Sequence, residues 1–200
     1  VIIYFKNDVL NFIKNKDLFF KIIISSVPVM FFGYFLVKFD LIEQFRNIET
    51  IGWTTIIFGV LLFISDKFKF DKSIDNNFNF KSAIFIGIFQ ILSLIPGVSR
   101  SGITLTAARL LNFNRVDAAK ISFLLSIPTL GAVSIFGLKN IIYAGDLNFS
   151  FMNLFSIFTS FLFSLLTIKF FLKYLKKFNL KVFVIYRIFL GIILLFLSYL

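Results

Sequence analysis

Cysteine and histidine are both absent from this 200-residue chain. Without cysteine there is neither a disulfide nor a thiolate metal site. Without histidine the commonest general base and metal ligand is missing. Acids are sparse, ten against 21 Lys and Arg. They are Asp8, Asp17, Asp40, Glu43, Glu49, Asp66, Asp71, Asp75, Asp117 and Asp146, all in or beside loops and none within an apolar run. Phosphoryl chemistry at neutral pH normally uses a base, a metal held by carboxylates, or both, and no apolar segment here supplies either. No signal peptide is visible. The chain opens on Val rather than Met, so an N-terminally incomplete sequence is expected.

What is abundant is apolar. The chain is 58% hydrophobic with a mean hydropathy of +0.93, whereas a soluble domain is nearer half apolar or below. Segments 22–37, 121–138, 151–168 and 182–200 are long and apolar enough to cross or nearly cross a bilayer. The second and third carry no charge, and the last carries only Arg187. Segment 50–65 is shorter but uncharged, and Val1–Phe5 reads as the tail of a further span. None of these alternates as a barrel strand would. The expected fold is an all-α integral membrane protein, a multi-pass transmembrane helix bundle forming one domain over 1–200. The 32 Phe residues read as coding bias rather than as a functional feature.

The net charge of +11 does not point to nucleic acid, because the basic residues sit in the loops between spans. Segments 6–21 (Lys6, Lys14, Lys16, Lys21), 66–81 (Lys67, Lys69, Lys72, Lys81), 109–120 (Arg109, Arg115, Lys120) and 169–181 (Lys169, Lys173, Lys176, Lys177, Lys181) are basic. Segment 38–49 sets Lys38 and Arg46 against three acids, and 138–150 has only Lys139. The excess of Lys and Arg assigns the first four to the cytoplasmic side and the last two to the outside.

This assignment puts loops 66–81 and 109–120 on one side, so the apolar stretch between them must enter and return. Its arms, 82–95 and 103–111, are too short at ~1.5 Å per residue to cross a ~30 Å core. Pro96-Gly97 breaks the helix between them. Residues 82–112 therefore read as a re-entrant helical hairpin with its tip near the bilayer interior. Irregular backbone is tolerated there only beside protein or a wet cavity. A weaker signal is an internal echo: Ser26-Val27-Pro28 followed by Gly33, and Ser126-Ile127-Pro128 followed by Gly131. Both helices run outward on this topology, as duplicated halves of a transporter-like fold would; two low-complexity helices could also match by coincidence.

The hairpin tip carries the chemistry: Pro96-Gly97-Val98-Ser99-Arg100-Ser101-Gly102-Ile103-Thr104. Ser99 or Ser101 can cap the second half-helix, whose free N–H groups and dipole favour an anion. Arg100 adds a planar donor fork suited to phosphate oxygens, and its burial in a membrane calls for a partner. Arg109 and Arg187 read instead as structural, snorkelling or paired. Gln90, on the first arm, either points into the same cavity or bonds a neighbouring helix. Arg100, Ser99, Ser101 and Thr104 are thus the candidate catalytic residues, and Gly97, Gly102 and Gln90 the candidate substrate-binding ones. Arg100 and the helix end hold a phosphate, and the hydroxyls donate hydrogen bonds.

The tip resembles the undecaprenyl-diphosphatases, also called bacitracin-resistance proteins. Phe89-Gln90, Ser122-Phe123-Leu124-Leu125-Ser126-Ile127-Pro128 and Tyr186-Arg187 resemble the same family, so the likeness runs over essentially the whole chain. It implies hydrolysis of undecaprenyl diphosphate to the monophosphate and inorganic phosphate, which recycles a carrier lipid for cell-wall synthesis. It also implies a divalent cation (Mg or Ca), an active cavity facing the outer side of the bacterial cytoplasmic (inner) membrane, paired re-entrant hairpins in an inverted repeat, and a homodimer. One departure is large. The family's Glu-rich motif ending in serine-serine-threonine-glycine-histidine has no match here. The general base and metal ligands are therefore expected in a missing N-terminal segment, and the chain as it stands is expected to be inactive. A transporter or flippase for a phosphate-bearing lipid would present the same broken helices, and a non-catalytic relative is the third alternative.

Overall fold

A computed structural model of the chain describes residues 1–11, 16–39, 45–68, 72–144 and 151–200. Lys14, Asp40, Glu43, Lys69, Asp71 and Asp146, counted above among the loop charges, lie outside the described residues. The described elements are helices: α1 (Lys6–Asn11), α2 (Lys16–Lys38), α3 (Ile48–Asp66), α4 (Ile74–Asn77), α5 (Phe80–Ile91), α6 (Arg100–Leu110), α7 (Arg115–Ala144), α8 (Phe151–Leu175) and α9 (Lys181–Ser198), with a single 3₁₀ turn at Leu92–Leu94. Five of them, α2, α3, α7, α8 and α9, are long and apolar enough to cross a bilayer. Each coincides with one of the segments picked out by hydropathy, although α9 ends at Ser198, two residues short of segment 182–200. The opening residues 1–5 form a turn that leads into α1, with Phe5 buried.

Short polar residues set the helix starts. Asn47 accepts from Thr50 N, Asn79 from Ser82 N, and Asn114 from Asp117 N, at 2.6, 2.9 and 2.9 Å. Each satisfies an amide that has no partner within its own helix. Pro28 and Pro128 both sit inside helices. Such prolines are tolerated in a membrane when neighbouring hydroxyls and helices satisfy the backbone.

The four basic segments meet at one end of the bundle. Asp66 is the centre of this end: Arg115 binds it through Nε and Nη2 (2.7 and 3.1 Å), Leu180 N donates to it (3.1 Å), and Arg109 Nε lies 3.4 Å away. Arg109 also donates to the carbonyls of Phe113, Asp66 and Phe68, so it is a structural, ion-paired arginine. Lys120 pairs with Asp8 at 2.6 Å. A short bridge between Lys72 and Phe113 joins the two ends of the hairpin. Beside it, Asn112 takes a left-handed φ of 70°, which asparagine adopts readily.

From this end α5 rises beside α2, and α6 returns. Ser25 Oγ donates to Ala83 O (2.8 Å), and a Cβ on Gly33 would meet Leu94, so α2 and α5 run in parallel. Thr104 on α6 faces Ser122 on α7 while Arg100 reaches Thr129, so α6 and α7 are antiparallel. α2 and α7, the two proline helices, therefore point the same way. α3 and α9 cross closely: a Cβ on Gly191 would lie 2.9 Å from Gly52 O. Backbone proximity through small residues is how membrane helices gain packing without a hydrophobic driving force. α8 buries only Ile168, Leu172 and Leu175, leaving a phenylalanine-covered face to lipid.

Candidate active site

The hairpin tip docks on the middle of α3. Thr54 Oγ1 donates to Pro96 O at 2.7 Å and Thr55 Oγ1 to Gly97 O at 3.4 Å. Gly97 has φ +88°, and a Cβ there would sit 2.1 Å from Thr54 Oγ1, so both the turn and the approach require glycine. Thr54 lies twelve residues along α3 from Asp66, which at 1.5 Å per residue is ~18 Å. It is only about 9 Å from the helix's other end. The tip is thus deep in the apolar layer and nearer the face opposite the basic loops.

Ser99 caps α6, accepting from Gly102 N at 3.2 Å, and its hydroxyl lies 3.3 Å from Ser101 Oγ. Both serines, Gly102 and Ser122 of α7 open onto a cavity of 350 Å³ that Tyr186 and Arg187 of α9 also line. Arg187 reaches across from the last span. Its Nη2 donates to Gly97 O at 3.1 Å and its Nε to Thr55 O at 3.4 Å. Its Nη1 would be 3.2 Å from a Cβ on Gly102. Arg100 leaves the same helix end on the other side, donating from Nη1 to Thr129 Oγ1 and from Nη2 to Ser122 O (3.1 Å).

Neither Arg100 nor Arg187 has a carboxylate partner among the described residues. Each guanidinium carries five N–H donors, and the contacts above use only some of them. Two partly buried cations flank a helix N-terminus that bears two serine hydroxyls opening onto the cavity. A buried charge without a partner is costly, and backbone amides and dipole add to the same positive field. The arrangement can take an anion with several oxygens.

Other predicted residues lie elsewhere. Thr104 is fully buried, donates to Arg100 O (3.0 Å), and sits 2.7 Å from Ser122 Oγ. One helical turn separates it from Arg100, so it faces α7 and holds Ser122 rather than the cavity. Gln90 is fully buried on the α5 face turned to α2, does not line this cavity, and has no hydrogen-bond partner among the described residues. Thr54, Thr55, Ser122, Thr129 and Arg187 escaped the sequence reading as site residues. For Arg187 there was a signal, since it is the sole charge in its span.

The donors do not fit a divalent cation. Hard cations take carboxylate and carbonyl oxygens, and among the described residues no acid lines the cavity. Among the described residues no group of three or more His, Cys, Asp or Glu comes together. Five of the six described acids are committed elsewhere: Asp66, Asp8 and Asp17 in ion pairs, Asp117 to Ile74 N, Glu49 to Tyr199; the sixth, Asp75, lies in α4 and does not line the cavity.

The chain matches the family described as Bacitracin resistance protein BacA over residues 1–193. An undecaprenyl-diphosphatase from Pelagibacter ubique (strain HTCC1062) is 49% identical over 200 residues, 100% of this chain and 78% of that protein. One from Jannaschia sp. (strain CCS1) is 36% identical over 185 residues, 92% of this chain and 69% of that one. A third, from Elusimicrobium minutum (strain Pei191), is 38% identical over 204 aligned positions, covering 97% and 76%.

Proposed function

Since the chain belongs to the bacitracin resistance protein BacA family, we propose that it hydrolyses undecaprenyl diphosphate to undecaprenyl phosphate and inorganic phosphate. The observation that carries this for the site is the pair of arginines without carboxylates. Arg100 and Arg187 flank the N-terminus of α6 from its two sides. A diphosphate on a lipid supplies the anion such a site requires, and the lipid's tail keeps it at membrane depth.

Water attacks the terminal phosphorus in line, the bridging P–O bond breaks with undecaprenyl phosphate leaving, the attacking water's protons pass to the phosphate oxygens and bulk water, and negative charge grows on the peripheral and leaving oxygens. Arg100, Arg187, the amides of the α6 N-terminus and the Ser99 and Ser101 hydroxyls stabilise that charge. Donors fixed before the reaction act strongly in a site shielded from water. These residues do not take the proton from water, because arginine remains protonated and the serines have no base beside them. No step here runs through a divalent cation, whose ligands the cluster lacks. Location in the bacterial cytoplasmic membrane, a cavity open to its outer side and assembly as a dimer belong to the same proposal; the tip's nearness to the face opposite the basic loops supports the second.

Phosphate release from undecaprenyl diphosphate by the purified protein in lipid tests the proposal. Arg100→Ala is expected to lower kcat/KM by about 10²–10³. Near-normal release from that variant would refute the assignment, and transport of intact lipid without release would favour a flippase.

A further inference from the structure

Segment 169–181 holds five lysines and no acid, whereas each of the other three basic segments contains at least one Asp. At this end of the bundle Asp17 pairs with Lys21, Asp8 with Lys120, and Asp66 with Arg115. Lys169, Lys173, Lys176, Lys177 and Lys181 are all exposed, and no ion pair among the described residues includes them. Four of them are ordered. Lys169, Lys173, Lys176 and Lys177 are spaced i, i+4, i+7 and i+8, the repeat of one helix face. Backbone bonds from Lys176 N to Leu172 O and from Lys177 N to Tyr174 O (3.3 and 3.0 Å) carry the last turn of α8 past Leu175. Ile168, Leu172 and Leu175, the row that α8 buries, each precede a lysine by one residue. The stripe therefore lies about 100° round the helix from the bundle.

We propose that, whatever reaction the hairpin tip performs, this face of α8 binds the headgroup phosphate of an anionic phospholipid in the cytoplasmic leaflet. A polybasic run immediately cytoplasmic of a span attracts anionic lipid, and here the depth is right for phosphate. The uncharged run 151–168 is ~27 Å long at 1.5 Å per residue, close to the ~30 Å hydrocarbon core. Lys169 thus stands where the core ends, and Lys173 to Lys177 stand ~6–12 Å further out, in the headgroups and the water above them. Tyr174, at the level where interfacial aromatics collect, stacks on exposed Phe178 (5.0 Å) and meets Phe183 edge-on (5.6 Å). The turn is held from inside, because Leu180 N donates to Asp66, so the cations are presented on a fixed backbone. A soluble acidic partner would engage lysines that project into water. Lys169, at the edge of the core, is placed for a lipid.

The chain has no cysteine, so Phe170→Cys and Phe155→Cys can each carry a single bimane label. Both residues are exposed on α8. The first adjoins Lys169, and the second lies about four turns away on the lysine side of the helix, near its outer end. Each labelled protein is placed in phosphatidylcholine nanodiscs in which a fixed fraction of the lipid is replaced by phosphatidylglycerol or phosphatidylcholine with brominated acyl chains. Quenching at residue 170 should report association about fivefold or more stronger for phosphatidylglycerol, and at residue 155 a ratio within about twofold of unity. Lys169→Gln, Lys173→Gln, Lys176→Gln and Lys177→Gln together should bring the ratio at 170 to within about twofold of unity, as should high salt. Arginine at the same four positions should preserve it. Equal quenching by the two lipids at 170 would overturn the proposal, leaving the lysines to topology or to a soluble acidic partner. The same preference at 155 would also overturn it, since that is the general pull of a chain of charge +11. So would a preference at 170 that survives the four glutamines. The contrast between 170 and 155 needs no lysine variant, so it decides even where the glutamine protein fails to reconstitute.

Discussion

Four arginines of this chain are buried or half-buried, and their surroundings divide them: Arg115 shares Asp66 with Arg109. Arg109 has Asp66 and three carbonyls, and its charge is spent within the fold. Arg100 and Arg187 have hydroxyl and carbonyl partners only, so no carboxylate among the described residues neutralises their charge. If both hold the same diphosphate, Arg187→Ala should weaken the affinity for a polyprenyl diphosphate by about tenfold or more, and Arg187→Lys should restore only part, because lysine lacks the planar fork. Equal affinity in Arg187→Ala, measured by equilibrium binding in nanodiscs, would remove it from the site. Gly97 is sensitive for another reason. Gly97→Ala places a methyl where Thr54 Oγ1 already is, at positive φ. Its unfolding midpoint in detergent should fall, by the equivalent of about 1–3 kcal/mol, with phosphate release lost alongside.

At the scale of the elements, the hairpin is held at both ends by different means. Its tip hangs on two threonine hydroxyls of α3, and its base is tied through Asp66 and the Lys72–Phe113 bridge. Thr54→Val keeps the shape and removes the hydroxyl. The expected loss is about 1 kcal/mol of stability, with a larger effect on turnover, since the Pro96 carbonyl and the α6 N-terminus move together. Asp66→Asn acts at the base, leaving Arg109 and Arg115 without their carboxylate. Losing one partner of a buried pair costs about 3–5 kcal/mol, so thermal melting should show a far larger drop for Asp66→Asn than for Thr54→Val. The reverse order would mean that the tip, not the base, anchors the hairpin. These contacts join residues far apart in the chain, Asp66 to Leu180 among them, and no local pattern announces them. The break at Pro96-Gly97 and the shortness of both arms are local, and the hairpin was legible from them. The packing of α6 was not: Thr104 shares the α7-facing side with Arg100, and its hydroxyl is taken up by Arg100 O and Ser122. Gln90 likewise followed the α5 face buried on α2.

The whole molecule sorts its charge by side. Counting Lys and Arg per loop was enough to place four segments together, and Asp66, Lys120 and Lys72 show them meeting at one end of the bundle. Hydropathy likewise located the five long helices, because burial in lipid selects whole runs rather than single residues. The second cation was the part composition could not assign. Arg187 and Thr55 are 132 residues apart in sequence, and only the α3–α9 crossing brings them together at the tip. One property of the chain makes its arrangement in the membrane easy to probe: with no native cysteine, a single introduced thiol reports alone. Asn76→Cys and Lys120→Cys flank the hairpin, and Ser101→Cys marks its tip. With a membrane-impermeant maleimide, residues 76 and 120 should label only from the cytoplasmic face, while 101 labels from the outer face and is protected by undecaprenyl diphosphate. Labelling of 76 and 120 from opposite faces, or of 101 without protection by that lipid, would contradict a diphosphate site at the tip of a returning hairpin.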